Sequence, residues 1–223
     1  MRFTYHPDAG NDFISIQGEL YNHIYQVRRT KFQENLQMRN LRDENIYTYE
    51  HVQISKKQAD LRLVNHSESP NSSKKKIHLI WAIIEGKNIE RTLPYLNQLG
   101  VMKISFFYAA RSQKNEKINL ERLHKILIHS CEQCGRTDFM NLEVILNTSK
   151  ALELYPDACV FDFGGKNIYH SIPNFSRGIF LGPEGGFNNE EKELMKDRLI
   201  YSTNEDFILK SECGALFLSS IGY

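Results

Sequence analysis

The sequence predicts an α/β domain preceded by a smaller β-rich domain. Three observations carry that prediction. A polar stretch divides the 223-residue chain near its first third, short β-rich runs precede it, and strand-like and helix-like segments alternate after it. Hydrophobic residues at 41% and charged residues at 25% are ordinary globular values and argue against a disordered or fibrous chain.

The dividing stretch is Asn65–Lys76, NHSESPNSSKKK, rich in Ser, Asn and Lys with no large apolar residue. Such a composition reads as a linker, centred on residues 67–76, with domains at 1–66 and 77–223. In the first domain Phe13–Ile16, Ile46–Tyr49 and Leu61–Val64 are strand candidates, with turn signals at Pro7–Gly10 and Arg42–Asn45. In the second, Ile77–Ile84 is a continuous apolar run fit for a buried parallel strand. Asn88–Leu99 carries apolar residues at helical spacing up to a stop at Gly100, and Pro94 inside it predicts a kink. Lys103–Ala110 is the next strand. Leu120–Cys134 is the best helix, with Leu120, Leu123, Leu127 and Cys131 on one stripe. Leu142–Leu146, Cys159–Phe163 and Gly178–Leu181 are short strands. Asn188 with Glu191 reads as a capping box opening a helix to about Lys196. Phe207–Leu209 is the expected last strand and Glu212–Tyr223 the last helix.

Several function classes lose support at once. No stretch approaches the ~18 apolar residues of a membrane span, and the N-terminus lacks the apolar core of a secretory signal. Four scattered cysteines do not make a disulfide framework, so a cytoplasmic location is expected. Cys131 and Cys134 have C-x-x-C spacing without a second pair to complete a zinc set, and no metal is expected. Neither a Walker A pattern nor G-x-G-x-x-G occurs.

The sharpest local feature is Gly182-Pro183-Glu184-Gly185-Gly186-Phe187, between a strand and a capped helix. Its backbone can approach a ligand without hindrance from Cβ atoms, at the end of a parallel strand where α/β sheets bind ligands. Exposed N–H and C=O groups suit an adenine edge or a carbonyl-rich ligand better than a phosphate; a plain strand-to-helix turn is the other reading. His23, Arg28, Arg29 and Lys31 form a basic cluster that is either a solvated face or an anion contact. Glu212 opens the last helix, where a carboxylate complements the dipole. Residues 1–66, 67–76, 77–150 and 151–223 carry +1, +2, +3 and −5. A nucleic-acid partner would be gripped by the first two-thirds of the chain.

Taken in order, these segments resemble the RsmE family of 16S ribosomal RNA uracil-N3 methyltransferases, of the SPOUT class. His23, Val27 and Arg29 are similar to the family's H-x-x-x-V-L-R run, with Arg28 where Leu is usual. Leu99-Gly100-Val101 resembles its E-L-G-V turn, Ser130–Arg136 its E-Q-C/S-G-R signature, Leu181–Phe187 its glycine loop and Leu209–Glu212 its L-R-x-E-T run. The resemblance implies a PUA-like β-barrel for RNA, then an α/β domain with a C-terminal trefoil knot that binds S-adenosyl-L-methionine and dimerises. It implies cofactor contacts at Phe161, Leu181, Gly182, Pro183, Glu184, Gly185, Gly186, Ile208, Leu209, Lys210, Ser211 and Glu212. It further implies RNA contacts at His23, Arg28, Arg29 and Arg111, and help with the uracil N3 proton from Glu212 or Arg136. The partner would be 16S ribosomal RNA or the small ribosomal subunit. Lys210, Cys213 and Gly214 depart from the usual Arg, Thr and Ala or Thr. Two other readings keep the ancestry: a non-catalytic RNA-binding or ribosome-assembly protein, or a methyltransferase with another RNA target.

Overall fold

The computed structural model describes residues 2–113 and 115–222, which divide into two units. The first comprises residues up to Ser72 together with Cys131–Phe139; the second comprises Ser73–Ser130 and the chain from Met140 onward.

In the first unit β1 (Thr4–Tyr5), β2 (Phe13–Gln17), β3 (Leu36–Arg39), β4 (Asn45–Ile54) and β5 (Gln58–Glu68) form one sheet in the order β1-β3-β4-β5-β2. All its pairings are antiparallel except β1 with β3. In β2 the side chains alternate, with Ile14 and Ile16 buried and Phe13, Ser15 and Gln17 exposed, the period a one-sided sheet requires. Ile14, Ile16, Met38, Tyr49 and Leu61 meet in one apolar core with Tyr21 and Ile24. Those last two come from α1 (Gly18–Tyr21) and the π-helical turn Asn22–Val27. The polar stretch is shorter than its composition suggests. Asn65–Glu68 continue β5, paired with Asn45–Thr48, because backbone pairing in an antiparallel hairpin tolerates polar side chains on an exposed face.

The segment 131–139 joins the first unit by specific bonds. The Glu132 carbonyl accepts from Arg2 N (2.8 Å) and its carboxylate from Tyr5 N (2.8 Å). Asn71 Nδ2 donates to the Gly135 carbonyl (2.8 Å), and Thr137 N to that of Asn71 (3.2 Å).

The second unit is a six-stranded, wholly parallel sheet in the order β11-β9-β10-β6-β7-β8. The strands are β6 (Ile77–Ala82), β7 (Val101–Phe107), β8 (Asn141–Ile145), β9 (Cys159–Asn167), β10 (Ile179–Leu181) and β11 (Ile200–Ser202). Every residue of β6 is buried, as its unbroken apolar run requires of a central parallel strand. The helices are α2 (Gly86–Gln98), α3 (Leu120–Cys134), α4 (Thr148–Leu154), α5 (Asn189–Leu194) and α6 (Ser211–Ile221). The last four residues of α3 belong to the first unit. α2 runs through Pro94, whose carbonyl accepts from Ser130 Oγ (3.2 Å). Among the described residues no helix is long and apolar enough to cross a membrane.

One sequence expectation is corrected. Phe207–Leu209 is loop, not strand; Phe207 and Ile208 are 63% and 75% exposed, and three apolar residues without sheet neighbours do not make a strand. The strand in that region is Ile200–Ser202, and α4 was not foreseen, although Asn147 caps it by accepting from Lys150 N.

Candidate cofactor site

A cleft opens in the second unit where the strands end. Phe161–Phe163 of β9, Leu181 of β10 with Gly182–Glu184, Gly186 and Phe187 after it, Ser202 of β11 with Thr203 after it, Phe207–Leu209, and Ser211 and Gly214 of α6 line about 650 Å³ of atom-free space, part of it open to solvent.

The glycine loop is held at both ends. Leu181 is in register with Phe161 of β9 on one side and Trp81 of β6 on the other. Gly186 takes a φ of 66°, a left-handed conformation that costs glycine little, and its N–H closes a turn onto the Pro183 carbonyl at 2.9 Å. Phe187 is then buried in the core. Asn188 accepts from Glu191 N (2.8 Å) while Glu191 Oε2 accepts from Asn188 N (3.0 Å), the capping box its spacing predicts. The other oxygen of this buried carboxylate accepts from Ala110 N (2.9 Å) and Thr148 Oγ1 (2.6 Å). One side chain thereby fixes the loop's exit, the segment after β7 and the start of α4. Next to Ala110, Arg111 donates from Nη1 to the Gly185 carbonyl at 2.7 Å.

Of the residues the resemblance assigns to the cofactor, Phe161, Leu181, Gly182, Pro183, Glu184, Gly186, Ile208, Leu209 and Ser211 line the cleft. Gly185 does not; a Cβ there would stand 3.3 Å from Arg111 Cδ, so it faces that arginine. Lys210 is exposed ahead of α6 and Glu212 lies in its first turn, neither on the cleft wall. Glu212 Oε2 is buried with no hydrogen-bond partner among the described residues. Arg136 is not at the cleft: it is buried in the first unit, its Nη2 2.6 Å from Asp138 Oδ2. Its Nε also donates to Asp138 Oδ1 at 3.0 Å, so the adjacent carboxylate holds the guanidinium in place. His23, Arg28 and Arg29 lie on or just after the π-helical turn of the first unit. Arg28 Nη1 donates to Thr4 Oγ1 (3.1 Å), and Arg29 is exposed at a φ of 57°.

Asp162, Phe163, Phe187, Ser202, Thr203, Phe207 and Gly214 also line the cleft and were missed as site residues. Reading Phe207–Leu209 as a strand hid Phe207, and β11 was not recognised in the sequence. Asp162 is held by Lys192 Nζ at 2.8 Å, which places a paired carboxylate on the wall. Aromatic faces for a flat base, backbone of the glycine loop for its edge, and the Asp162 and Glu184 carboxylates for a cationic group make a set that fits a positively charged nucleoside.

A parallel α/β sheet with a glycine loop at the carboxyl end of a central strand places this cleft where such sheets bind small-molecule ligands. Comparison with known proteins narrows this. Residues 70–221 match the family model described as an RNA methyltransferase domain. The chain is 51% identical over 224 residues to the ribosomal RNA small subunit methyltransferase E of Helicobacter pylori, covering 99% of both chains. A methyltransferase of Legionella pneumophila, solved with bound S-adenosylmethionine, is 25% identical with a TM-score of 0.84, covering 99% of this chain and 96% of that one. The ribosomal RNA small subunit methyltransferase E of Neisseria gonorrhoeae, also solved with the cofactor, shares the fold at a TM-score of 0.81 and 22% identity, covering 99% and 95%. The chain belongs to the ribosomal RNA small subunit methyltransferase E family of RNA methyltransferases.

Proposed function

We propose that the protein transfers a methyl group from S-adenosyl-L-methionine to N3 of a uracil in 16S ribosomal RNA. The observation that carries this is the cleft at the glycine loop, with aromatic walls and two carboxylates, in a chain of this family. When bound, the cofactor supplies a sulfonium methyl that is already strongly electrophilic. The protein's share is orientation and help with the N3 proton. Gly182–Glu184 with Gly186, and Ile208, Leu209 and Ser211, hold the cofactor between two strips of chain. N3 lies on the Watson–Crick edge, so the uracil must leave its pair to reach the cleft. Glu212, next to Ser211 on the wall and with one carboxylate oxygen unpartnered, accepts the N3 proton. Arg111, fixed over Gly185 and exposed, holds the RNA at the mouth.

On this reading the first unit is a PUA-like RNA-binding domain, with His23, Arg28 and Arg29 as contacts. The threading behind the cleft is a trefoil knot, supported by β10 lying between β9 and β6 and by α6 packing back on β6 and β10. A cytoplasmic homodimer follows, supported by the apolar Tyr95, Leu99 and Leu216 at the surface of α2 and α6. Light scattering should report twice the 26.0 kDa chain mass.

The deciding experiment is mass spectrometry of ribosomal RNA from cells with and without the gene. A 3-methyluridine in 16S RNA that disappears with the gene, and returns when purified protein and S-adenosylmethionine are added, is the expected result. An unchanged nucleoside profile rejects the assignment.

A further inference from the structure

Trp81 is the one tryptophan of the sequence and is wholly buried, in register with Leu181 of β10 and Phe106 of β7. A buried indole N–H needs an acceptor, and here it is Ser211 Oγ at 2.8 Å. The same Oγ stands 2.6 Å from the Gly182 carbonyl oxygen. An indole nitrogen can only donate, a carbonyl can only accept, and a hydroxyl carries one proton. The order is therefore forced: Trp81 donates to Ser211, and Ser211 donates to Gly182. Ser211 lines the cleft, yet its proton is already committed, so what it can offer a ligand is its remaining lone pair.

The relay also joins the end of β6, the first residue of the glycine loop and the first residue of α6. The two strips of backbone flanking the cleft, 29 positions apart in sequence, are tied through one hydroxyl.

We infer that Trp81 is a positioning residue of the cofactor site: its indole N–H orients the Ser211 hydroxyl, which fixes the Gly182 carbonyl and presents the cleft with an acceptor. The cofactor group met there is a donor, of the amino or hydroxyl kind a nucleoside carries. This rests on the reading of the cleft as the S-adenosylmethionine site.

The test compares wild type, Ser211→Ala and Trp81→Phe by calorimetric titration with S-adenosylmethionine and by steady-state methylation of ribosomal RNA. Ser211→Ala leaves the Gly182 carbonyl and the Trp81 N–H both unpaired, so cofactor Kd and KM should rise roughly tenfold. Trp81→Phe keeps an aromatic ring and the Ser211–Gly182 bond, and should raise both about threefold. The KM for RNA should stay unchanged in each. A purely structural defect would instead lower kcat through loss of active protein and leave cofactor KM alone, which overturns the inference. So does a Ser211→Ala protein whose cofactor affinity is within twofold of wild type. Unchanged cofactor affinity in Trp81→Phe overturns it equally, whether or not Ser211→Ala folds. Wild-type protein that binds no S-adenosylmethionine overturns the reading beneath, a failure visible before any variant is made.

Discussion

Gly186 and Gly185 are neighbours with different duties. Gly186 lines the cleft at a φ of 66°, where any side chain costs about 1–2 kcal/mol of backbone strain, whereas Gly185 faces Arg111. Gly186→Val should therefore lower stability through that strain and, by adding a branched side chain to a residue of the cleft wall, weaken S-adenosylmethionine binding about tenfold by titration. Gly185→Val should act by displacing Arg111 and should touch RNA more than cofactor. A reversed order would show that Gly185 bounds the cofactor. The glycine content made this loop legible in the sequence, but the direction each residue faces depends on a distant Arg111 that no local pattern announces. A second residue-scale case is His78, whose Nε2 lies 2.7 Å from Ser105 Oγ, with Lys103, Glu143 and Tyr155 around it. Burial, and then the Lys103 cation, pull its pKa from 6.5 down to about 4, against the opposing Glu143 carboxylate. The unfolded chain thus binds the proton more readily between those values, and stability rises with pH across that window. Acidification from above pH 6.5 to pH 4 should remove roughly 3 kcal/mol through this group. Denaturant titrations should show a shallower pH dependence in His78→Phe than in wild type; equal slopes would reject the assignment.

At the scale of elements, β11 is placed by a glycine in its neighbour. A Cβ at Gly165 of β9 would lie 2.6 Å from the backbone of Ile200 and Tyr201, at the point where the register between the two strands shifts. Only the bare Cα lets β11 lie against β9, and Ser202 and Thr203 reach the cleft from the end of that strand. Gly165→Ala should lower stability by about 1–3 kcal/mol and weaken cofactor binding with it, read as a fall in Tm and a rise in Kd. An unshifted Tm would mean β11 is not held by this approach. Most of the elements were readable because their signals are local: the apolar run of β6, the stripe of α3, the cap at Asn188. β11 was not, because its three residues owe their strand to the approach at Gly165, and Phe207–Leu209 showed the same apolar signature without a partner to pair with.

For the whole molecule, charge follows the units and not the order of the chain. The first unit, with segment 131–139 folded into it, holds 10 basic and 11 acidic residues, a net of −1. Residues 73–130 hold 11 and 4, a net of +7, and residues 140–223 hold 7 and 12, a net of −5. The grip expected of the first two-thirds of the chain is therefore narrowed: its positive charge lies in residues 73–130, and the first unit would contribute through single arginines such as Arg29. The return of 131–139 to the first unit was invisible beforehand, since composition reports nothing about which segments rejoin an earlier sheet. Arg29, exposed in the first unit, and Arg111, exposed over the glycine loop, then separate two ways of holding RNA. Removing a side chain that neutralises one phosphate should flatten the dependence of log K on log salt by about one unit. Arg29→Ala should do so while leaving S-adenosylmethionine affinity intact, because no residue of its unit lines the cleft. Arg111→Ala should flatten the slope equally and also weaken the cofactor, having released the Gly185 carbonyl. Filter-binding across a salt series, set beside cofactor titration, measures both quantities, and loss of cofactor affinity in Arg29→Ala with its RNA affinity kept would reverse the division of labour.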